Sequence, residues 1–242
     1  MNSNSIKILC TLGPNTLNKK FLNFAKGKVS LLRLNISHIE INKLKNIIRF
    51  LKKNSNIPLC IDTEGAQIRT KVKKTTKCKQ GQTIKLYKEN KGNFNLYPKY
   101  VFENLKKGDL LHIGFDDLKT KVVKIKKNYI LLEVSSEGLL ENNKGVHLQN
   151  RRIKLNYLTE KDFKAIEIAK KYKVKNFALS FTNTPEDVRK FGLILKYENK
   201  IYKIETKEAV QNIHKIAKAG NIFLIDRGDL SKETSVEKIP SI

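Results

Sequence analysis

Residues 201–229, IYKIETKEAVQNIHKIAKAGNIFLIDRGD, hold one lysine and two acids at a spacing suited to ion chemistry. Lys203 and Glu205 are two apart in a short apolar run, so both fall on one face of a strand. Thr206 can cap the helix that follows, with Glu208 in its first turn. A second apolar run, Asn221 to Ile225, closes in Asp226-Arg227-Gly228-Asp229, which reads as a charged turn. A strand, helix and strand of this length make parallel neighbours whose C-terminal ends point the same way. Adjacent strands lie ~4.8 Å apart, so Asp229 can sit beside Glu205. A cation and two carboxylates at one mouth of a parallel sheet suit Mg²⁺, a hard ion that keeps some waters and accepts substrate oxygens. The same residues also fit a salt-bridged lysine beside two solvated loop acids. Spacing alone leaves both open.

The elements that must position these residues recur along the chain. Residues 6–12, 29–35 and 57–61 read as buried strands, with helices over 16–26 and about 39–53 between them. Over residues 71–150 the pattern changes to short alternating runs punctuated by glycines, the signature of a small inserted β-domain. Alternation resumes near 152. Thr159-Glu160-Lys161-Asp162 and Thr184-Pro185-Glu186-Asp187 are helix starts on either side of a fourth strand, Val174 to Phe181. With the strands at Ile201 and Asn221, six strands of βα type are expected. At ~30 residues per unit of an eight-fold barrel, the 242 − 80 = 162 residues outside the insertion support five or six units. The expected fold is therefore α/β: an incomplete TIM-type βα barrel over 1–70 and 151–242, carrying a small β-domain over 71–150. Polar residues follow nearly every strand: Arg33, Asn35 and Ser37; Asp62, Thr63 and Arg69; Ser180; Lys203 and Glu205; Arg227, Gly228 and Asp229. Loops after strands are where such barrels keep their active sites, and arginines with a lysine around Mg²⁺ indicate a phosphorylated or carboxylated substrate.

A net charge of +26 raises nucleic acid as a partner. The composition argues against it. Of 49 basic residues seven are arginine and 49 − 7 = 42 are lysine, spread over the whole chain. The densest cluster, Lys71, Lys73, Lys74, Lys77 and Lys79, has no aromatic among it and reads as solvated surface. No run of about 18 apolar residues offers a membrane span. Cys10, Cys60 and Cys78 show no metal spacing or disulfide framework, and Cys10 and Cys60 read as buried thiols in strands. A reducing cytoplasm is expected.

Six collinear motifs resemble those of the pyruvate kinases: KILCTLGP; RLNISH, like RLNFSH; DTEGAQIRT, like DTKGPEIRT; KGVHL, like KGVNLPG; YKIET, like SKIEN; and DRGDLS, like ARGDLG. Nearly the whole chain is covered, and the resemblance implies that the inserted domain over 71–150 is a small β-barrel lid. The resemblance implies glycolytic transfer of a phosphoryl group from phosphoenolpyruvate to ADP, giving pyruvate and ATP, with Mg²⁺ and K⁺. It implies that Arg33 binds the substrate phosphate and that Lys203 stabilises the transition state and the enolate oxygen. Glu205 and Asp229 would hold Mg²⁺, and the Gly228 and Asp229 backbone would meet the substrate carboxylate. Asn35, Ser37, Asp62 and Thr63 would ligate K⁺, while Asn35, His38, Arg69 and Lys144 would face the nucleotide. His112, His147 and His214 match no catalytic motif and read as structural.

Departures from the family pattern are specific. Glu64, Ala66 and Gln67 stand for Lys, Pro and Glu, and Glu64 reverses a charge near the expected K⁺ and nucleotide sites. Thr206 stands for Asn, Ser231 for Gly, and Gln149-Asn150 for Pro-Gly. Gly114-Phe115-Asp116-Asp117 follows the family's acidic lid turn only loosely. The seventh and eighth barrel strands, with a threonine linked to substrate binding and proton delivery, and the C-terminal regulatory domain have no counterpart in these 242 residues. The rival expectations are an impaired or truncated paralogue that binds phosphoenolpyruvate or nucleotide without turnover, a Mg²⁺-dependent aldolase or lyase handling pyruvate enolate, and a charge-driven nucleic-acid binder. A homo-oligomer is compatible with each.

Overall fold

A computed structural model describes residues 6–89, 91–114, 118–234 and 236–241. The chain divides into two compact units, Met1–Ala66 with Asn156–Ile242, and Gln67–Leu155. In chain order, β1 (Leu9–Thr11), α1 (Lys19–Ala25), β2 (Leu31–Asn35), α2 (Ile41–Asn54) and β3 (Leu59–Asp62) open the first unit. The second unit contributes β4 (Ile68–Val72), β5 (Thr76–Cys78), β6 (Thr83–Tyr87), β7 (Phe94–Tyr97), α3 (Val101–Asn104), β8 (Leu110–Ile113), β9 (Leu118–Ile125), β10 (Tyr129–Ser136), β11 (Gly138–Leu140) and β12 (Gly145–Leu148). The first unit then resumes with α4 (Glu160–Lys171), β13 (Asn176–Leu179), α5 (Pro185–Ile194), β14 (Asn199–Ile204), α6 (Lys207–Gln211), α7 (Ile213–Ala219), β15 (Phe223–Ile225) and α8 (Arg227–Glu233).

The first unit is a six-stranded parallel sheet in the order β1-β2-β3-β13-β14-β15, an incomplete βα barrel. Its helices bury one stripe each against the sheet. In α2 that stripe is Leu44, Ile48 and Leu51, spaced for one helical face. The strands answer with Leu32, Leu34, Ile61, Phe177 and Leu179, all inaccessible to solvent. The opposite face of the sheet carries a smaller cluster, Cys60, Ala178 and Ile201, with Leu9, Leu31 and Leu224 packed against it. At the two outer strands the apolar surface is open: Ile8 beside β1, and Phe223 and Ile225 in β15, are exposed.

The second unit is an antiparallel sheet in the order β6-β10-β9-β8-β12-β4-β7, nearly closed into a barrel, with β5 and β11 forming a separate two-stranded ladder. Its own core includes Phe94, Leu111, Ile113, Ile130 and Leu132. Asp109, buried at 2% exposure, accepts from Arg151 Nε at 2.7 Å and Nη2 at 2.6 Å. That bidentate pair ties the end of the unit's chain back to the turn before β8. The lysines at 71, 73, 74, 77 and 79 are exposed, and Lys71 Nζ sits 4.9 Å from the Tyr97 ring on the neighbouring strand. Residues 115–117 of the acidic lid turn lie outside the described residues.

Several sequence expectations shift. The units part at 66/67 and 155/156 rather than at 70/71 and 150/151, because Ile68 and Arg69 already pair with β12 in the second unit. The helix after Thr206 breaks at Asn212 into α6 and α7. Asp226-Arg227-Gly228-Asp229 is not a free turn: Asp226 precedes α8, and the next three residues form its first turn. Cys10 is only partly buried, whereas Cys60 and Cys78 are buried. Burial in an apolar strand pushes the Cys60 thiol far up, so it is an inert thiol.

Asp162 joins helix to sheet. Thr159 and Asp162 cap α4 reciprocally, Thr159 N–H donating to Oδ2 at 2.9 Å and Asp162 N–H to Thr159 Oγ1 at 3.1 Å. The same carboxylate accepts the Glu64 N–H at 2.7 Å and the Gly65 N–H at 3.1 Å, in the loop leaving β3. Gly65 has φ +66, and a Cβ there would meet the Ser180 carbonyl oxygen at 2.3 Å, so this turn admits only glycine. The reversed charge of Glu64 is answered locally: its carboxylate accepts from Lys161 Nζ at 2.9 Å and Thr159 Oγ1 at 3.1 Å. Asp162→Asn turns an acceptor into a donor facing backbone N–H groups and is expected to cost about 2–4 kcal/mol. Urea unfolding of the two proteins checks this; equal midpoints would show that the loop holds without Asp162.

Candidate active site

Five strand ends bring their polar residues to one mouth of the parallel sheet. Register sets the level: Asn35 pairs with Asp62, Asp62 with Ala178, Leu179 with Tyr202, and Lys203 with Leu224. Arg33 in β2 reaches across to β3. Its Nε donates to Asp62 Oδ2 at 2.8 Å, Nη2 donates to the same oxygen, and Nη1 donates to Thr11 Oγ1 at 2.9 Å. Ser180, just past β13, donates from Oγ to Asp62 Oδ1 at 3.1 Å.

Lys203 lies at the centre and is 3% exposed. Its Nζ is 2.7 Å from Glu205 Oε1, 3.4 Å from Asp226 Oδ2 and 3.6 Å from Asp62 Oδ2, and it donates to Ser180 Oγ at 3.3 Å. Glu205 is 1% exposed. Its Oε2 accepts the Phe181 N–H at 2.6 Å, while Oε1 has the ammonium beside it but no aligned hydrogen bond. Phe181 holds φ 53, a left-handed backbone unusual for a bulky residue, and in that conformation its N–H faces Glu205. Asp229, in the first turn of α8, pairs with Lys232 Nζ at 2.7 Å.

Burial and charge compete here. Burial disfavours the charged form of Lys203, but Asp62 and Glu205 outweigh it and keep the ammonium above its ordinary range. For Arg33 burial again opposes charge, and Asp62 more than compensates. Burial raises the Glu205 carboxyl to about 7 against the pull of Lys203. Asp226, half-buried, is pulled below its usual range because Lys203 overcomes its desolvation.

A hard cation suits this donor set. Carboxylate oxygens of Glu205, Asp226 and Asp229 all lie within 4.8 Å of one another. Oxygen donors of this kind match Mg²⁺. Asp226 was not among the residues singled out from the sequence. A charged residue before a helix reads as a turn, and its only signal is an acid where the similar motif has alanine. Phe181 gave no signal, because its role is a backbone angle.

The other expected site residues fall in two groups. Asn35, Ser37, Asp62 and Thr63 stand together at the ends of β2 and β3. Asn35 Oδ1 accepts the Ser37 N–H at 3.0 Å, and Thr63 Oγ1 accepts the Ser180 N–H at 3.0 Å. His38 closes a short 3-10 turn after β2 and is exposed. Arg69 and Lys144 belong to the second unit. There Arg69 Nη1 donates to the Asn143 carbonyl at 3.1 Å, and Lys144 pairs with Glu141 at 3.0 Å.

The buried carboxyl of Glu205 gives a pH signature. Its folded value of about 7 stands above the 4.5 of an ordinary glutamate, so the folded chain holds a proton that the unfolded chain has released between those values. Its stabilising contribution is complete below pH 4.5 and is lost as pH rises through about 7. In chelator-treated buffer, unfolding free energy should fall across that window, and Glu205→Gln should flatten the slope. An identical slope in the variant would mean that Glu205 is already ionised.

Comparison with known proteins agrees with the geometry. The family model described as pyruvate kinase, barrel domain, matches residues 3–242. Pyruvate kinase from Methanocaldococcus jannaschii is 34% identical over 242 residues, covering 97% of this chain and 52% of the relative. The pyruvate kinases of Thermotoga maritima and Chlamydia pneumoniae are 28% and 30% identical, each covering 98% of this chain and 54% and 52% of their own length. The chain thus spans about half the length of the curated relatives it matches. With six parallel strands in order, the inserted β-domain and a family match over nearly all its length, the chain belongs to the pyruvate kinase barrel-domain family.

Proposed function

We propose that this chain carries the phosphoenolpyruvate site of a pyruvate kinase, moving the phosphoryl group to ADP to give pyruvate and ATP. The observation that carries the reading is Lys203, a buried ammonium 2.7 Å from Glu205, at the mouth where Arg33 and Asp229 also stand. In this reading Arg33 binds the substrate phosphate. Lys203 faces the bridging oxygen and offsets the charge that develops as the P–O bond breaks. Glu205 and Asp229 would hold Mg²⁺, which when bound supplies further positive charge to the phosphate and enolate oxygens. The Gly228 and Asp229 N–H groups lie in the first turn of α8, the Asp229 N–H beside the Asp226 carboxylate, and would meet the substrate carboxylate. Asn35, Ser37, Asp62 and Thr63 would take K⁺. Asn35, His38, Arg69 and Lys144 would face the nucleotide.

Charge also fits. Around Arg33, Lys203 and Lys232 stand Asp62, Glu205, Asp226 and Asp229. A divalent cation added to that set turns the mouth positive, which suits a phosphorylated acid. Among the described residues no helix is long and apolar enough to cross a membrane.

A second reading is that the chain binds phosphoenolpyruvate without turning it over. A coupled assay of pyruvate formation separates the two. Under the kinase reading Lys203→Met lowers kcat by about 10²–10³-fold while phosphoenolpyruvate still shifts the melting temperature. Folded wild-type protein that binds phosphoenolpyruvate yet yields no pyruvate would establish the second reading.

A further inference from the structure

We infer that Asp226 is an additional metal ligand, so that three carboxylates of this chain, not two, hold the divalent ion. The inference rests on the reading of Glu205 and Asp229 as magnesium ligands and adds a residue to it. In the similar motif ARGDLG the position of Asp226 is alanine, which offers no ligand atom. Here the acid sits between β15 and α8, and its carboxylate faces the same space as those of Glu205 and Asp229, all three within 4.8 Å. Two oxygens on one Mg²⁺ at about 2.1 Å lie roughly 3 Å apart when adjacent and roughly 4.2 Å when opposite. Side-chain adjustments of under about 1 Å would bring the three acids onto one ion.

Asp226 stands 3.4 Å from Lys203, and two features of the cluster leave room for a cation as a second partner. Lys203 already has Glu205 at 2.7 Å and Asp62 at 3.6 Å, both nearer to full burial than Asp226, whose side chain is 29% exposed. The charges also leave a surplus. Among the described residues, Asp62, Glu205 and Asp226 face Arg33 and Lys203 while Asp229 pairs with Lys232, so once Glu205 is ionised the acids outnumber the cations by one. A divalent ion shared by the three acids would neutralise that excess. The consequence is order of binding: three acids hold a divalent ion before any anionic substrate arrives, and repel that substrate until they do.

The test uses Mn²⁺ alone, with no phosphoenolpyruvate or nucleotide, titrated by electron paramagnetic resonance into wild type, Asp226→Ala, Asp226→Asn and Glu205→Gln. Circular dichroism melts confirm that each variant is folded. We expect both Asp226 variants to weaken Mn²⁺ binding by tenfold or more. Pulsed spectra in ¹⁷O-enriched water should count one more water on the ion bound to Asp226→Ala. Weaker binding with an unchanged water count would overturn direct ligation. Mn²⁺ affinity that drops in Glu205→Gln but is unchanged in both Asp226 variants would overturn the proposal and leave the two-acid site intact. Affinity unchanged in Glu205→Gln as well would remove the metal reading itself.

Discussion

A buried ammonium is the constraint on which this structure turns. Lys203 is sealed from water, and a lone charge in such a place is untenable. The fold therefore brings acids to it from three strands: Asp62 at the end of β3, Glu205 after β14 and Asp226 after β15. Each of those positions is fixed by parallel register, and the register is held by helices packed on the outer face. Arg33 and Ser180 then take up Asp62, so the cluster spans β2 to β15 without an isolated buried charge. The half-barrel and its polar mouth are one solution to one electrostatic problem.

The supporting loops follow from the same demand. Glu205 gains the Phe181 N–H only because Phe181 accepts a left-handed backbone, and Ser180 meets Asp62 while Gly65 passes beneath its carbonyl. Strain of this kind persists where the surroundings over-determine it, and it gathers at sites with a task. Asp162 is the counterpart on the helical side, one carboxylate serving both a helix start and the loop after β3.

Much of the fold was legible in the sequence because its signals are local. Thr159, Thr184 and Thr206 each precede a helix and each accepts the backbone N–H three residues on, as their residue types imply. The stripe of Leu44, Ile48 and Leu51 and the apolar strand runs are equally local. The nearness of Lys203 to Glu205 follows from strand periodicity alone. What escaped depends on contacts between distant residues or on backbone angles. The grip of Arg33 on Asp62 spans 29 positions, and Asp162 reaches back 98 to Glu64. Ile68 and Arg69 look like the tail of a loop until β12 pairs with them. Asp226 looked like part of a turn because nothing in its neighbourhood announces α8.

The account stands or falls on where an ion goes. Crystals soaked in Mn²⁺ and phosphoenolpyruvate, measured at a wavelength where manganese scatters anomalously, test this most directly. The account predicts one anomalous peak about 2.2 Å from carboxylate oxygens of Glu205 and Asp229, with the phosphate between that ion and the Lys203 ammonium. An ion bound away from both acids, or a phosphate that leaves Lys203 buried in its acids and untouched, would contradict it.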